Sequence, residues 1–193
     1  MQNIARTLKG GGIILYPTEG VWGIGCDPFN ETAVQRLLKL KGRSISKGLI
    51  LITAEWSMVH KLIALNLKDY PIIEEVTEPT TWVFPATSLV PPWISGDFDS
   101  IAIRATTHES AREICQQFGG VIVSTSANLS SSPSVMRLED VDQSILDGVD
   151  YVVPGEVGKL AGPSKICDVL TMKSIARKNL QKEQNMANME SYS

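Results

Sequence analysis

A single α/β domain is the fold this sequence predicts, and three features predict it. Apolar, β-rich runs of strand length recur along the chain, at Ile13-Ile14-Leu15-Tyr16, Gly48-Leu49-Ile50-Leu51-Ile52 and Gly120-Val121-Ile122-Val123 among others. Between them lie segments whose apolar residues recur at helical spacing, so strands and helices alternate. The length of 193 residues, with 43% hydrophobic and 20% charged, fits one soluble domain with a sizeable core.

Taken in order, Ile4, Ala5 and Leu8 give a short amino-terminal helix that Gly10-Gly11-Gly12 stops. The run Ile13 to Tyr16 is a strand cut by Pro17, and Val21-Trp22-Gly23-Ile24-Gly25-Cys26 is a second. The bend between them, Pro17-Thr18-Glu19-Gly20, is either a plain turn or a rigid frame exposing Thr and Glu. Asn30 is a natural N-cap for a helix carrying Ala33, Val34, Leu37 and Leu38 on one face, with Gly42 as its stop after Lys41. The uninterrupted run Gly48 to Ile52 predicts a strand covered on both faces. Met58, Val59, Leu62, Ile63 and Leu65 predict a further helix, in which His60 carries little functional weight.

Further on, Thr81-Trp82-Val83-Phe84 reads as a strand, Pro91 to Gly96 as an irregular loop, and Ile101 to Arg104 as a strand ending in a cation. A helix follows through Ala111, Ile114, Cys115 and Phe118. Leu138 to Leu146 predicts a helix that opens with acidic residues, Tyr151-Val152-Val153 a short strand, and Ile166 to Leu170 an apolar stretch after a glycine-punctuated segment. The polar tail, residues 178–193, has little apolar periodicity and is expected to be disordered or loosely helical.

Composition excludes several classes of function. With 18 basic and 21 acidic residues the net charge is -3, so no global positive field drives non-specific nucleic-acid binding. Cys26, Cys115 and Cys167 are odd in number, far apart and outside any C-x-x-C pattern, which argues for buried small hydrophobes. No charged leader runs into an apolar core and no 18-residue apolar window occurs, so a cytoplasmic location is expected, with no membrane partner.

The stretch Lys41-Gly42-Arg43-Ser44-Ile45-Ser46-Lys47 crowds cations at a helix end. Such cations complement the helix dipole, for about 0.3 to 1 kcal/mol each, or they meet an anion. The second reading draws support from Val123-Ser124-Thr125-Ser126-Ala127-Asn128, where an apolar strand turns abruptly into small hydroxyl and amide side chains. If that strand stays extended, Ser124, Ser126 and Asn128 face one side. Arg104 is a solvated strand-end charge or a third arm of the same site. The polar set of Thr18, Lys41, Arg43, Lys47, Arg104, Ser124, Ser126, Asn128 and Ser164 is rich in cations and hydroxyls and poor in general bases. No Ser-His-Asp arrangement, H-E-x-x-H motif, G-x-x-x-x-G-K-[ST] loop or G-x-G-x-x-G fingerprint accompanies it. Such a set can neutralise several anionic groups and orient a displacement at phosphorus by position and charge.

Four stretches together resemble the YrdC/TsaC family of threonylcarbamoyl-AMP synthases. They are Tyr16 to Asp27, Lys41-Gly42-Arg43 with Lys47 to Leu51, Ser124 to Asn128, and Pro163-Ser164-Lys165-Ile166-Cys167-Asp168, in the family's order and approximate spacing. The likeness covers roughly residues 1–177 and corresponds to the short, single-domain form. It implies a twisted, mostly open mixed sheet with flanking helices around a concave basic cavity, similar also to dihydroxybutanone-phosphate synthase. It implies the conversion of L-threonine, bicarbonate and ATP to L-threonylcarbamoyl-AMP and pyrophosphate, the first step toward N6-threonylcarbamoyladenosine in tRNA. The family's K-x-R motif falls on Lys41 and Arg43 and its S-x-N motif on Ser126 and Asn128, as catalytic contacts to phosphates and threonylcarbamate. Thr18, Lys47, Arg104, Ser124, Ser164 and Arg177 are expected to bind nucleotide or substrate.

Magnesium is expected to arrive with the nucleotide, held largely by phosphates and water, so no protein metal site is needed, and by the same resemblance the adenylate passes to a tRNA-modifying transferase and its accessory proteins. Three positions depart from the family pattern. Val76-Thr77-Glu78-Pro79 replaces Trp-Pro-Gly-Pro, Gly20 replaces Thr or Ala, and Trp22 replaces Tyr or Phe. Two other readings compete: an RNA-binding or ribosome-maturation factor, which the charge balance and missing stacking motif disfavour, and a sugar-phosphate enzyme, which needs more carboxylates than the set offers.

Overall fold

A computed structural model of the chain describes residues 2–130 and 132–175. Arg177 and the tail 178–193 lie outside the described residues. Among the described residues, eight strands form one mixed sheet: β1 (Ile14–Pro17), β2 (Trp22–Gly25), β3 (Ile50–Thr53), β4 (Thr80–Pro85), β5 (Ser100–Ala105), β6 (Ile122–Ser126), β7 (Tyr151–Val152) and β8 (Lys165–Asp168). Their order is β7-β1-β2-β6-β3-β5-β4-β8. The pairs β1/β7, β3/β5 and β4/β8 are parallel, and the rest antiparallel.

Both faces of the central strands are covered, which is why their sequences run apolar without alternation. On one face, Ile14 and Tyr16 of β1, Ile52 of β3 and Ile122 of β6 pack with helices α1 (Gln2–Lys9) and α5 (Glu109–Phe118). On the other, Leu15, Leu51 and Val123 join the larger core beneath α2 (Glu31–Lys41), with Ile94 of the one-turn α4 (Pro92–Ser95) and Ile145 of α6 (Gln143–Gly148). The three cysteines are buried and unbridged, and burial pushes the Cys26 and Cys115 thiols up to about 12.

Helix α2 begins and ends where its sequence says. The Asn30 side chain accepts from the Ala33 amide at 3.0 Å. At the other end Gly42 is left-handed (φ 60°), and the amides of Gly42 and Arg43 donate to the Lys39 and Leu38 carbonyls in a Schellman motif. Asn30→Ala should cost about 1 kcal/mol, read as a lower urea midpoint with an unchanged slope.

Three local expectations differ from the structure. Residues 58–65 form no helix: a 3-10 turn at Trp56–Met58 leads into turns held by Ala64 N to Pro85 O (2.8 Å) and Thr87 N to Leu62 O (3.0 Å). Val59, Leu62 and Ile63 are nonetheless buried, so the apolar spacing there marked a buried loop. The Leu138–Leu146 stretch divides into a 3-10 turn (Leu138–Asp140) and α6, because Asp142 caps a new start by accepting from the Ser144 amide at 2.9 Å. The Pro91–Gly96 loop contains α4, opened by Pro92 in the first turn and stopped by Gly96. The short α3 (Ile72–Glu75) had no sequence signal of its own. No described helix is long and apolar enough to cross a membrane.

Candidate active site

On the sheet face that carries Ile52 and Ile122, a cavity of about 250 Å³ opens beyond the cover of α1 and α5. Its floor follows from strand alternation. Ser124 and Ser126 succeed Ile122 at two-residue steps, and in register beside them stand Ile50, Ala102 and Arg104. The expected extended stretch therefore faces the cavity through Ser124 and Ser126. Strand β6 ends at Ser126, however, and the Asn128 side chain turns away, its Nδ2 donating to the Leu129 (2.8 Å) and Ser132 (2.6 Å) carbonyls.

The cations arrive from the Schellman end of α2. The left-handed Gly42 throws Arg43 off the helix, and Arg43 Nη2 donates to the Gly48 carbonyl at 3.0 Å while its Nε is buried without a partner. Ser44 caps the 3-10 turn Ile45–Lys47, and Gly48 (φ 59°) closes it against Gly96 (φ 67°). A Cβ on Gly96 would lie 2.6 Å from the Gly48 amide nitrogen, so the two backbones touch and the turn is pinned to α4. Arg43 and Lys47 both line the cavity.

Lys41 sits elsewhere. It is buried and absent from the cavity wall, and its ammonium donates to the Ser126 carbonyl and, at 2.6 Å, to that of Asn128. Burial, with the Arg43 guanidinium nearby, pushes Lys41 down to about 8. The same helix end accepts from Ser130, whose amide (3.0 Å) and hydroxyl (2.9 Å) both donate to the Lys41 carbonyl. Lys41 thus fixes the turn after β6 on which Ser126 and Asn128 depend.

Opposite, Thr18 hydrogen-bonds the Val21 carbonyl (2.7 Å) and lines the cavity at the β1–β2 bend. Ser164 also lines it and meets Thr81 Oγ1 at 2.8 Å. Of the expected residues that are described, Thr18, Arg43, Lys47, Arg104, Ser124, Ser126 and Ser164 meet around one cavity, while Lys41 and Asn128 stand behind it. Sequence reasoning missed the apolar wall of Leu49, Ile94, Phe98 and Leu160, which carries no polar signal. It also read Glu19 only as a bend residue. Glu19 is buried, 3.3 Å from Arg104 Nη2, with Oε1 accepting from Thr106 Oγ1 (2.7 Å) and the Thr107 amide (2.9 Å). Burial opposes its ionisation, but Arg104, Thr106 and the Thr107 amide outweigh that and hold its carboxyl below the usual range. Among the described residues no group of three or more His, Cys, Asp or Glu could hold a metal ion.

A family model, Sua5/YciO/YrdC, described as telomere recombination, matches residues 6–178. The chain belongs to the Sua5/YciO/YrdC family. It is 45% identical over 166 residues to a threonylcarbamoyl-AMP synthase of Nitrosococcus oceani, covering 85% of this chain and 90% of that one. Its identity to the synthase of Vibrio campbellii is 40% over 174 residues, covering 88% and 94%. The crystal structure of P. abyssi Sua5 complexed with L-threonine superimposes with a TM-score of 0.81 at 26% identity over 88% of this chain, which spans 50% of that longer protein. E. coli YciO shares the fold, with a TM-score of 0.73 at 18% identity over 86% of this chain and 82% of that one.

In this member of the Sua5/YciO/YrdC family the glycine at position 20 has a steric reason. A Cβ there would lie 2.4 Å from the Gly162 carbonyl and 2.5 Å from that of Leu160, so the segment 158–162 lies directly on the Thr18–Gly20 bend. The Gly158 and Leu160 amides donate to the Thr18 (2.8 Å) and Glu19 (2.9 Å) carbonyls. Trp22 is buried in the larger core and does not line the cavity. Val76 packs on that core too, ahead of β4.

Proposed function

We infer that this chain is an L-threonylcarbamoyl-AMP synthase. The observation that carries the inference is its 45% identity to a named synthase over most of both chains, and a cavity wall that combines Arg43, Lys47 and Arg104 with serine hydroxyls supports it. The threonine amine adds to bicarbonate or CO2 to give a carbamate, with loss of water in the bicarbonate case. A carbamate oxygen then attacks the α-phosphorus of ATP, the bond to the bridging oxygen breaks, and pyrophosphate leaves. No protein nucleophile is required. The difficulty lies in gathering a carboxylate, a carbamate and a polyphosphate in one place, and the cations offset that repulsion.

Arg43 grips oxygens with a planar fork and Lys47 adds a mobile point charge. Ser124 and Ser126 offer hydroxyl donors from the sheet, and Lys41 holds the turn that presents the second of them. Arg177 is proposed as a further nucleotide contact on resemblance alone. Magnesium arriving with the nucleotide would supply extra charge neutralisation beside Arg43, Lys47 and Arg104. The adenylate is labile, so it passes to a tRNA-modifying transferase.

Pyrophosphate release measured with threonine and then bicarbonate omitted tests this reading. Release should require both. Release independent of both rejects the synthase, and tight binding of tRNA without ATP turnover would place the chain among RNA-binding factors.

A further inference from the structure

Arg104 differs from the other cations of the cavity in how it is held. Lys47 is exposed and Arg43 half-buried, whereas Arg104 rises from within the sheet with its side chain only 10% exposed. A guanidinium so placed needs a partner, and Glu19, from the bend between β1 and β2, is the one the structure provides at 3.3 Å. The carboxylate is itself locked. Both bonds to Oε1 come from the residues just past the end of β5, Thr106 and Thr107, so the strand that carries Arg104 also aims the group that holds it. Oε2 is left with no linear hydrogen bond and faces Arg104 through charge alone, and Arg104 Nε is likewise buried without a hydrogen-bond partner. Glu19 does not line the cavity, while its neighbours Thr18 and Gly20 do.

We propose that Glu19 is a positioning residue of this enzyme: it orients Arg104 in the cavity wall and joins that strand to the bend carrying Thr18. The proposal rests on the synthase reading for the reaction concerned, and on geometry alone for the Glu19–Arg104 coupling. The carboxylate restricts the rotamers of a long side chain before substrate arrives, leaving less disorder to remove when an anion binds. Because Oε2 makes no linear bond, the guanidinium keeps donors for a ligand while its charge stays compensated in the empty site. The Glu19 carbonyl meanwhile accepts from Leu160, so one residue links three parts of the cavity wall: Arg104, Thr18 and Leu160.

A double-mutant cycle with Glu19→Gln, Arg104→Met and the pair of substitutions together tests this. Thermal unfolding of each protein serves as the check on folding. Glu19→Gln should lower kcat/KM by about 10- to 100-fold, the range typical for loss of the partner that orients a metal ligand, taken here by analogy, mainly through KM for an anionic substrate. In the Arg104→Met background the same change should cost less than about twofold, since there is no guanidinium left to orient. Equal losses in both backgrounds would mean that Glu19 acts independently of Arg104 and would overturn the proposal, as would near-normal kcat/KM for Glu19→Gln. Should Glu19→Gln fail to fold, Thr106→Val keeps both charges and removes one of the two hydrogen bonds to Oε1, leaving that from the Thr107 amide. It should raise the same KM, and an unchanged KM would count against the proposal. If the wild-type protein forms no threonine-dependent pyrophosphate, the synthase reading fails. ATP affinity by calorimetry across the same variants then still decides whether Glu19 and Arg104 are coupled.

Discussion

Arg43→Lys is expected to remove about 99% of the synthase activity, on the order of 10²-fold in kcat/KM, although the charge is retained. The reason lies in shape. Arg43 is placed by a left-handed glycine and then braced by one bond from Nη2 to the Gly48 carbonyl at 3.0 Å, so the remaining guanidinium donors keep a fixed direction. A lysine at this position would carry its charge on a flexible stem, lack the planar fork and lose the brace. Burial already presses on the cation here, lowering its affinity for the proton. A bound polyphosphate relieves that cost, and the relief is largest when two oxygens are gripped at once. Steady-state pyrophosphate release, beside a denaturation curve to show an intact fold, measures the effect. Turnover within a few-fold of wild type would show that Arg43 serves only as a point charge.

Much of this arrangement was legible in the sequence, and the boundary of what was legible is physical. Asn30 and Gly42 announced both ends of α2 because capping is local chemistry. Gly48 to Ile52 announced a covered strand because both its faces are apolar, and Ile13 to Tyr16 and Gly120 to Val123 announced strands by their apolar, β-rich runs. The strand order was not legible, since β6 lies between β2 and β3 through pairings that no local pattern encodes. At residues 58–65 the spacing of Val59, Leu62 and Ile63 looked helical, yet long-range bonds to Pro85 and Thr87 decided the backbone. For the site, residue type indicated the cations and hydroxyls, and alternation placed Ser124 and Ser126 on the cavity side. What residue type did not reveal was which lysine faces the cavity and which supports it from behind. The K-x-R pattern gave Lys41 the catalytic place and Lys47 a binding one, whereas the turn after β6 takes the Lys41 ammonium and Lys47 is the lysine that lines the cavity. Glu19 escaped for the same reason, since its partners Arg104, Thr106 and Thr107 lie more than eighty residues away.

Lys41→Met should lower both stability and activity, and should do so with a distinctive pH dependence. The ammonium serves the part-buried Ser126 and Asn128 carbonyls, so its removal takes a charged donor from both and leaves Ser126 only the bond from the Asn128 backbone amide at 2.9 Å, at a cost of about 1–3 kcal/mol. It also frees the turn that presents Ser126, which lowers kcat/KM even though Lys41 does not line the cavity. The sign of the pH effect on stability follows from the lowered proton affinity. With the folded-state value near 8 and the ordinary value at 10.5, the unfolded chain binds the proton more tightly between those limits. In that window stability therefore gains a rising contribution from Lys41 as pH increases, and Lys41→Met should remove that contribution. Activity moves the other way. Loss of the proton above about pH 8 removes positive charge beside Arg43, so kcat/KM, which reports on the free enzyme, should fall along an alkaline limb near that value. An alkaline limb that persists unchanged in Lys41→Met would assign the titration to another group, and an unchanged denaturation midpoint would remove Lys41 from its supporting role.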